Sequence, residues 1–414
     1  MHILQAVRSG GTFQAARDRV LPTLPGRDRR LAYELAAGVL RGQADLDRRL
    51  RLRHTDPRLH DVLRLGAYQL AALARVPAYA AVATSVELAR EAAGEAAARY
   101  VNQALRKLQR GSGLGARDSG DTHPRWLFER WRRQFGLEDT HRLIGWNDAK
   151  PPLTLQPVRW SISELASRLR DAGFGVTEAP FGAGVRLIPS PEPRVPNPSR
   201  LPGYAEGGFI VQDPAHALVC RYAAIPSGAL VYDACAAPGG KAVMLERDGA
   251  RVVAGDARPE RIRRLAETTR RAGVAIRVTV ADLLSAPFAP GTVSAVLVDA
   301  PCTATGTMAR HPDARWRITP RTIVHAARRQ RALLAAAATL VGPGGLLVYS
   351  TCSLEPEENH DIVTEFLASH PAFVRAPVPA AVPAALLTPD GDLRCLPQRD
   401  GIDGAYAARF ARTP

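Results

Sequence analysis

Hydrophobic positions recur with two different periods along the chain. Up to about residue 112 they return every three or four residues: Leu31, Leu35 and Val39, then Leu59, Leu63, Gly66, Leu70 and Leu73. After a break at Pro77 the same period continues through Val82, Val86 and Ala89, and again through Val101, Leu105 and Leu108. That spacing predicts amphipathic helices packed as a small bundle. Residues 111–121 (GSGLGARDSGD) have no apolar period and read as a flexible polar linker. His123-Pro124 opens a helix carrying Trp126, Leu127, Trp131 and Phe135, and a second helix ends near Asn147, before Pro151-Pro152. The stretch 153–190 predicts a strand at 153–158, a helix at 163–172 with Ser161 and Glu164 at capping-box spacing, and a strand at 184–188. A proline-rich boundary loop fills 189–203.

From about residue 204 the apolar positions form short continuous runs, the mark of strands buried on both faces. Strands are expected at 229–233, 251–255, 276–280, 295–299 and 345–350. Helices at 239–247, 260–272, 321–341 and 355–369 fall between or after them. Alternation of this kind implies a doubly wound, mostly parallel sheet. The expected protein is therefore multidomain: an all-α bundle at 1–115, a helical linker with a small α+β module at 122–200, and an α/β Rossmann-like domain at 201–414.

Composition narrows the function class. No run of about 20 apolar residues is present, so no membrane span is expected. The first ten residues have no apolar signal core, which points to a cytoplasmic protein. The five cysteines (220, 235, 302, 352 and 395) are far apart and form no Cys-x-x-Cys pair, so no metal site is expected and a reducing compartment fits. A net charge of +15 suits a polyanionic partner, most plausibly nucleic acid. A genome-wide taste for Arg would replace Lys but would not create an excess of base over acid. Arg27, Arg29, Arg30, Arg48, Arg49, Arg51 and Arg53 are the densest basic stretches; RNA phosphate contact and plain solvated helix faces fit them equally well. Only three lysines occur (107, 150 and 241), so each invites its own explanation.

The candidate chemistry lies at the ends of the expected strands, where open α/β sheets place their ligands. The first strand runs into Asp233-Ala234-Cys235-Ala236-Ala237-Pro238-Gly239-Gly240-Lys241. Small residues there admit a ligand close to the backbone, and the loop feeds a helix N-terminus. The loop has neither the dinucleotide nor the P-loop pattern. The next two strands end at Asp256, suited to two ribose hydroxyls, and at Asp282, suited to an adenine amine. Acids at successive strand ends fit a nucleoside cofactor without a phosphate chain, S-adenosyl-L-methionine; singly, each could merely cap a helix. Asp299-Ala300-Pro301-Cys302 and Ser350-Thr351-Cys352-Ser353 then bring an acid and two thiols to neighbouring strand ends. Two buried structural cysteines would be the plainer account. Glu355, Glu357 and Glu358 read as an acidic first turn suited to the helix dipole.

The wording carries a resemblance. Leu63-Arg64-Leu65-Gly66-Ala67-Tyr68-Gln69-Leu70, Arg75-Val76-Pro77, Val86-Glu87-Leu88-Ala89 and Tyr100-Val101-Asn102-Gln103-Ala104-Leu105-Arg106 resemble the NusB-like RNA-binding helical domain. The loop 233–241, Asp299-Ala-Pro-Cys302, Arg310-His311-Pro312-Asp313, Trp316, Ser350-Thr-Cys352-Ser and Asn359 look like the signature set of RNA 5-methylcytosine methyltransferases. Together the chain resembles the bacterial RsmB/Sun-type small-subunit rRNA cytosine methyltransferases over nearly its whole length. Ala405 stands where that family usually has an aromatic, and 155–158 lacks the usual Arg and Asn. The chain also begins almost inside its first helix, so a few further residues are expected before it.

The resemblance implies transfer of a methyl group from S-adenosyl-L-methionine to carbon 5 of a cytosine in 16S rRNA, by a monomer. Cys352 would attack carbon 6, Cys302 would release the adduct, and Asp299 would bond ring nitrogen 3. Asp299 would also serve the cofactor, with Cys235, Ala236, Ala237, Pro238, Gly239, Gly240, Lys241, Asp256, Arg261 and Asp282. Lys241 is expected near Asp299 or the cofactor's carboxylate. In DNA cytosine methyltransferases the Pro-Cys thiol attacks instead, which would favour Cys302. The same chemistry on tRNA or another rRNA cytosine, and a non-catalytic ribosome assembly factor, are the competing functions.

Overall fold

In the computed structural model, residues 1–52, 56–110, 122–188 and 197–414 are described. The expected linker at 111–121 and most of the proline-rich loop lie outside them, as do Arg53 and the side chain of Arg27. The described chain divides into two compact units, residues 1–151 with 308–317, and residues 152–307 with 318–414.

The first unit realises the helical period. Its helices are α1 (His2–Arg8), α2 (Phe13–Val20), α3 (Gly26–Leu50), α4 (Pro57–Ala72), α5 (Ala78–Arg110), α6 (Arg125–Phe135) and α7 (Leu137–Asp148). Asp56 starts α4 by accepting the Arg58 amide at 2.9 Å, and Pro57 occupies the first helical position, where no amide is needed. Leu59, Val62 and Leu63 of α4 are buried with Val82, Val101 and Leu105 of α5. Gly66 is part of this stripe for a steric reason: a Cβ there would lie 2.4 Å from Leu105 Cδ1 and 2.7 Å from Ser85 Oγ. Leu31 departs from the pattern, at 45% exposure. The helix α5 is broken at Ala93 and Gly94, whose backbone angles are not helical.

A segment from far along the chain, 308–317, completes this unit. Fully buried Arg315 donates to Asp148 Oδ1 at 2.6 Å, to the Asn147 carbonyl at 2.9 Å and to the Arg41 carbonyl at 3.2 Å. Asp313 accepts the Phe13 amide at 3.1 Å, and the Trp316 indole donates to the Leu40 carbonyl at 2.7 Å.

The second unit holds two sheets. The small one has strand order β2-β3-β1-β4, from β1 (Thr154–Pro157), β2 (Val176–Glu178), β3 (Val185–Leu187) and β4 (Phe209–Val211), all neighbours being antiparallel. Helix α8 (Ile162–Asp171) covers it, with both halves of the Ser161–Glu164 capping box formed. Helices α6 and α7 pack within the first unit, and β4 pairs with β1 in the small sheet.

The large sheet is built from β5 (Leu230–Asp233), β6 (Arg251–Asp256), β7 (Arg277–Val280), β8 (Val293–Asp299), β9 (Val341–Thr351), β10 (Phe373–Arg375), β11 (Leu393–Cys395) and β12 (Ala405–Arg412). Its order is β10-β12-β9-β8-β5-β6-β7, with β11 on β12. The strands β5 to β9 pair in parallel, as expected, while β10 and β11 are antiparallel to β12 and β12 to β9. Alternate residues feed two cores. Val231, Leu297 and Val348 pack toward α9 (Pro214–Ala223) and α10 (Gly240–Arg247), which with α11 (Pro259–Ala272) cover one face. Tyr232, Val296, Val298 and Tyr349 pack toward the helices Pro320–Leu340 and His360–Ser369. The chain reverses its lateral direction between β5 and β8, which are paired neighbours. This switch point leaves a crevice at the strands' carboxyl ends, where Asp233 and Asp299 lie.

Candidate active site

Strands β8 and β9 run side by side, with Asp299 opposite Ser350, so the loops that leave them emerge together. They bring Cys302 Sγ to 3.1 Å from Cys352 Sγ. Both are free thiols, and both are partly exposed. The Cys302 thiol is held well above its ordinary value, first by the hydrogen bond with Cys352 and then by burial. Cys220, Cys235 and Cys395 are pushed up by burial, the first two to about 12.

Glu358, fully buried, fixes the two thiol loops to each other. It accepts from the Thr303 amide at 3.0 Å and the Thr303 hydroxyl on one loop, and from the Ser353 hydroxyl at 2.6 Å on the other. Gln330, from the helix Pro320–Leu340, donates to Glu358 at 2.8 Å and to the Pro301 carbonyl at 2.9 Å. Gly306 allows the final approach. Its amide bonds the Cys352 carbonyl at 2.9 Å, and a Cβ there would stand 2.7 Å from the Gly404 Cα. Asn359 braces the second loop through Thr351 Oγ1 at 2.6 Å and the Ser353 carbonyl at 2.8 Å.

Beside the thiols, Asp299 accepts from Lys241 Nζ at 2.7 Å and from the Ser350 hydroxyl at 2.9 Å. Burial pushes the Asp299 carboxyl up, but Lys241 and Ser350 outweigh it and hold the group below the ordinary carboxylate value. Burial likewise works against the Lys241 ammonium, and Asp299 outweighs it, holding the group above the ordinary lysine value. The pair is therefore ionised. The expectation that Lys241 lies near Asp299 matches this contact.

The loop after β5 wraps the N-terminus of α10. Its Ala236 amide bonds the Gly255 carbonyl at 2.9 Å, and the Ala237–Pro238 peptide is cis. At the end of β6, buried Asp256 accepts the Arg258 amide at 3.1 Å and faces Arg261 Nη1 at 2.9 Å. Arg261 also donates to the Ala237 carbonyl at 2.5 Å, so its guanidinium ties Asp256 to the loop. Asp282, exposed after β7, accepts the Leu284 amide at 3.1 Å and thereby caps a short helical turn with one oxygen.

Known proteins match the chain in the order of its parts. Residues 1–110 match the NusB family, residues 123–190 a ferredoxin-like domain of RsmF/B-like methyltransferases, and residues 224–411 the 16S rRNA methyltransferase RsmB/F family. A probable ribosomal RNA small subunit methyltransferase B of Synechocystis sp. is 34% identical over 96% of this chain and 94% of its own. The chain belongs to the RsmB/F methyltransferase family. Ribosomal RNA small subunit methyltransferase B of Vibrio cholerae is 32% identical over 99% of this chain and 95% of its own. Among solved structures, PH0851 shares the fold with a TM-score of 0.79 and 24% identity, covering 99% of this chain and 97% of that one. NSun6 from Pyrococcus horikoshii has a TM-score of 0.60 at 18% identity, covering 70% of this chain and 98% of that one.

In this family member the expected site residues fall into two neighbouring groups. Cys302, Cys352, Asp299 and Lys241 meet at the ends of β8 and β9. Residues 235–240, Asp256, Arg261 and Asp282 line the loops after β5, β6 and β7. Two site residues had other readings or none. Glu358 was read as a dipole partner of a helix, yet it is the clamp between the thiol loops. His216 had no reading at all, and its Nδ1 lies 2.9 Å from Lys241 Nζ.

Asp233 gives the site a pH signature. It is fully buried, and its carboxyl is pushed up to about 7, first by burial and then by the charge on Asp299. An acid raised on folding stabilises the fold fully below its unfolded value, about 4, and that contribution is lost as pH rises through the folded value. Asp233→Asn should remove the loss. In thermal melts from about pH 5 to about 8, wild type is expected to fall progressively below the variant, by several degrees at the upper end.

Proposed function

We propose that this methyltransferase uses S-adenosyl-L-methionine to methylate carbon 5 of a cytosine in 16S rRNA, through a covalent bond between Cys352 and the base. The observation that carries this reading is the pair of free thiols, 3.1 Å apart, beside an ionised Asp299–Lys241 pair. Methylation of an amine or hydroxyl needs no thiol. Carbon 5 of cytosine is a poor nucleophile until a sulfur adds to carbon 6.

The loop after β5 and the acids Asp256 and Asp282 are chemically suited to S-adenosyl-L-methionine. Carboxylates accept hydroxyl and amine protons and favour a cationic ligand, whereas they would repel a phosphate chain. When bound, the cofactor supplies an electrophilic methyl group on a positive sulfur. Residues 235–240 would hold it with Asp256, whose aim Arg261 fixes.

The chain's own residues divide the remaining work. Cys352 forms the bond to carbon 6. As that bond forms, the Cys352 thiol proton passes to ring nitrogen 3, and the Asp299 carboxylate accepts from that N3–H and from the cytosine amine, which stabilises the adduct. The ring is then nucleophilic at carbon 5. After methylation a base must take the carbon-5 proton so that the bond to Cys352 can break. Cys302 suits that step. As a thiolate, its own proton lost to solvent, it takes the carbon-5 proton. The 5,6 double bond re-forms, and the bond to carbon 6 breaks with its electron pair returning to the Cys352 sulfur, which regains its proton from ring nitrogen 3.

The reading is tested by mapping 5-methylcytosine in 16S rRNA, and in tRNA, from cells with and without the protein. One 16S cytosine losing its methyl group in the deletion strain is the expected result. A loss confined to tRNA, or none anywhere, would overturn the assignment.

A further inference from the structure

We infer that His216 is a positioning residue for the methyl transfer, holding the Lys241 ammonium in line with Asp299; this rests on the function proposed above. His216 lies in the first turn of α9, whose N-terminus is capped by Asp213 accepting the Ala215 amide at 3.0 Å. Its Nδ1 is 2.9 Å from Lys241 Nζ, and the same Nζ is 2.7 Å from Asp299 Oδ2.

The chemistry of the two groups fixes the roles. An ammonium has three N–H donors and no acceptor. Nδ1 of His216 must therefore accept a hydrogen bond from Lys241, which requires a neutral imidazole with its own proton on Nε2. Lys241 is thus held at two points, by a carboxylate and by an imidazole nitrogen. The lysine stem has four flexible carbons, and a single ion pair would leave the ammonium free to turn about it. With both acceptors engaged, the third N–H has a defined direction.

The position matters because of burial. Lys241 is only 6% exposed, so water is a poor substitute for a lost acceptor. Without His216 the ammonium would turn toward another oxygen, and Asp299 would lose part of the charge that keeps it ionised. The consequence falls on the addition of Cys352 to the base, which Asp299 stabilises, and not on RNA or cofactor affinity. His216 is therefore expected to act on kcat and not on KM.

Two measurements test this. The chain has three lysines, so protein labelled with 15N-lysine gives three ammonium signals, and Lys241→Met identifies the one from Lys241. His216→Leu should shift or broaden that signal. His216→Asn, whose side-chain oxygen can stand where Nδ1 was, should leave it near its wild-type place. An unmoved signal in His216→Leu would overturn the contact, whether or not the proposed reaction is correct.

The second measurement is single-turnover methyl transfer to 16S rRNA. His216→Leu is expected to slow it about tenfold, with KM for RNA and cofactor changed less than about twofold, and His216→Asn to restore most of the rate. Because His216 acts through Lys241, His216→Leu should add nothing to Lys241→Met. A wild-type rate in His216→Leu, or fully additive losses in the double variant, would remove His216 from the mechanism. Wild type that methylates no cytosine would instead sink the function on which the inference rests, leaving the ammonium signal to judge the contact.

Discussion

Cys302→Ala, incubated with 16S rRNA and S-adenosyl-L-methionine, is expected to accumulate a covalent protein–RNA adduct that survives denaturing gel electrophoresis. Cys352→Ala should form none. The asymmetry follows from the proposed division of labour. Cys352 makes the bond to carbon 6, so without it nothing can be trapped, and turnover should fall by about a thousandfold or more. Cys302 acts only after methylation, so its loss leaves attack intact and release blocked. The short sulfur–sulfur contact makes this a demanding test, because the two thiols share one environment. An adduct on Cys352→Ala and none on Cys302→Ala would reverse the roles.

Glu358→Ala is expected to cost as much activity as losing a thiol, although Glu358 touches neither sulfur. The carboxylate receives Thr303, Ser353 and Gln330 in a fully buried place. Its removal takes the acceptor from the Thr303 amide and weakens the bonding of the Thr303, Ser353 and Gln330 side chains, at about 1–3 kcal/mol for a buried donor left unpaired. A loss of about 3 kcal/mol would lower the melting temperature of this unit by several degrees. The thiol loops would also lose their common anchor. A shift of about 1 Å in their separation is enough to cost on the order of a hundredfold in rate. Glu358→Gln keeps one acceptor oxygen and should retain more stability than activity. Calorimetry and adduct formation measured on the same preparations separate the two effects. Wild-type adduct formation by Glu358→Ala would show that the clamp is dispensable.

The central strands were legible in the sequence because each is a short apolar run ending in Asp, Ser or Thr. Asp233, Asp256 and Asp299 close their strands as that pattern implied. Helix α8 was legible from its capping box. The antiparallel edge was not. The strand β12, with sequence AYAARFAR, is as alanine-rich as a helix, and only its pairing with β9 and β10 makes it extended. The strands β2, β4, β10 and β11, three residues each, were not legible, although β3, equally short, was at 184–188.

The thiols and Asp299 were found because their residue types are rare at strand ends. Glu358 was misread because an acid near the start of a helix already has a sufficient local explanation. Its partners Thr303 and Gln330 are 55 and 28 residues away and leave no local mark. His216 is a lone histidine in the first turn of a helix, and only the folded chain brings it to Lys241, 25 residues on.

Arg315 reaches back across 167 residues to Asp148, and Asp313 across 300 to Phe13. A ribosome making this chain delivers the seven N-terminal helices long before that segment. During the interval Asp148, the Asn147 carbonyl and the Phe13 amide await partners that have not been synthesised. The segment 308–317 follows directly on the loop that carries Cys302, so the helical unit is completed only after β5 to β8 have left the ribosome. The N-terminal helices, made first, are in this sense finished only after β5 to β8, and a nascent chain stalled before residue 308 would carry an open socket in place of a closed bundle.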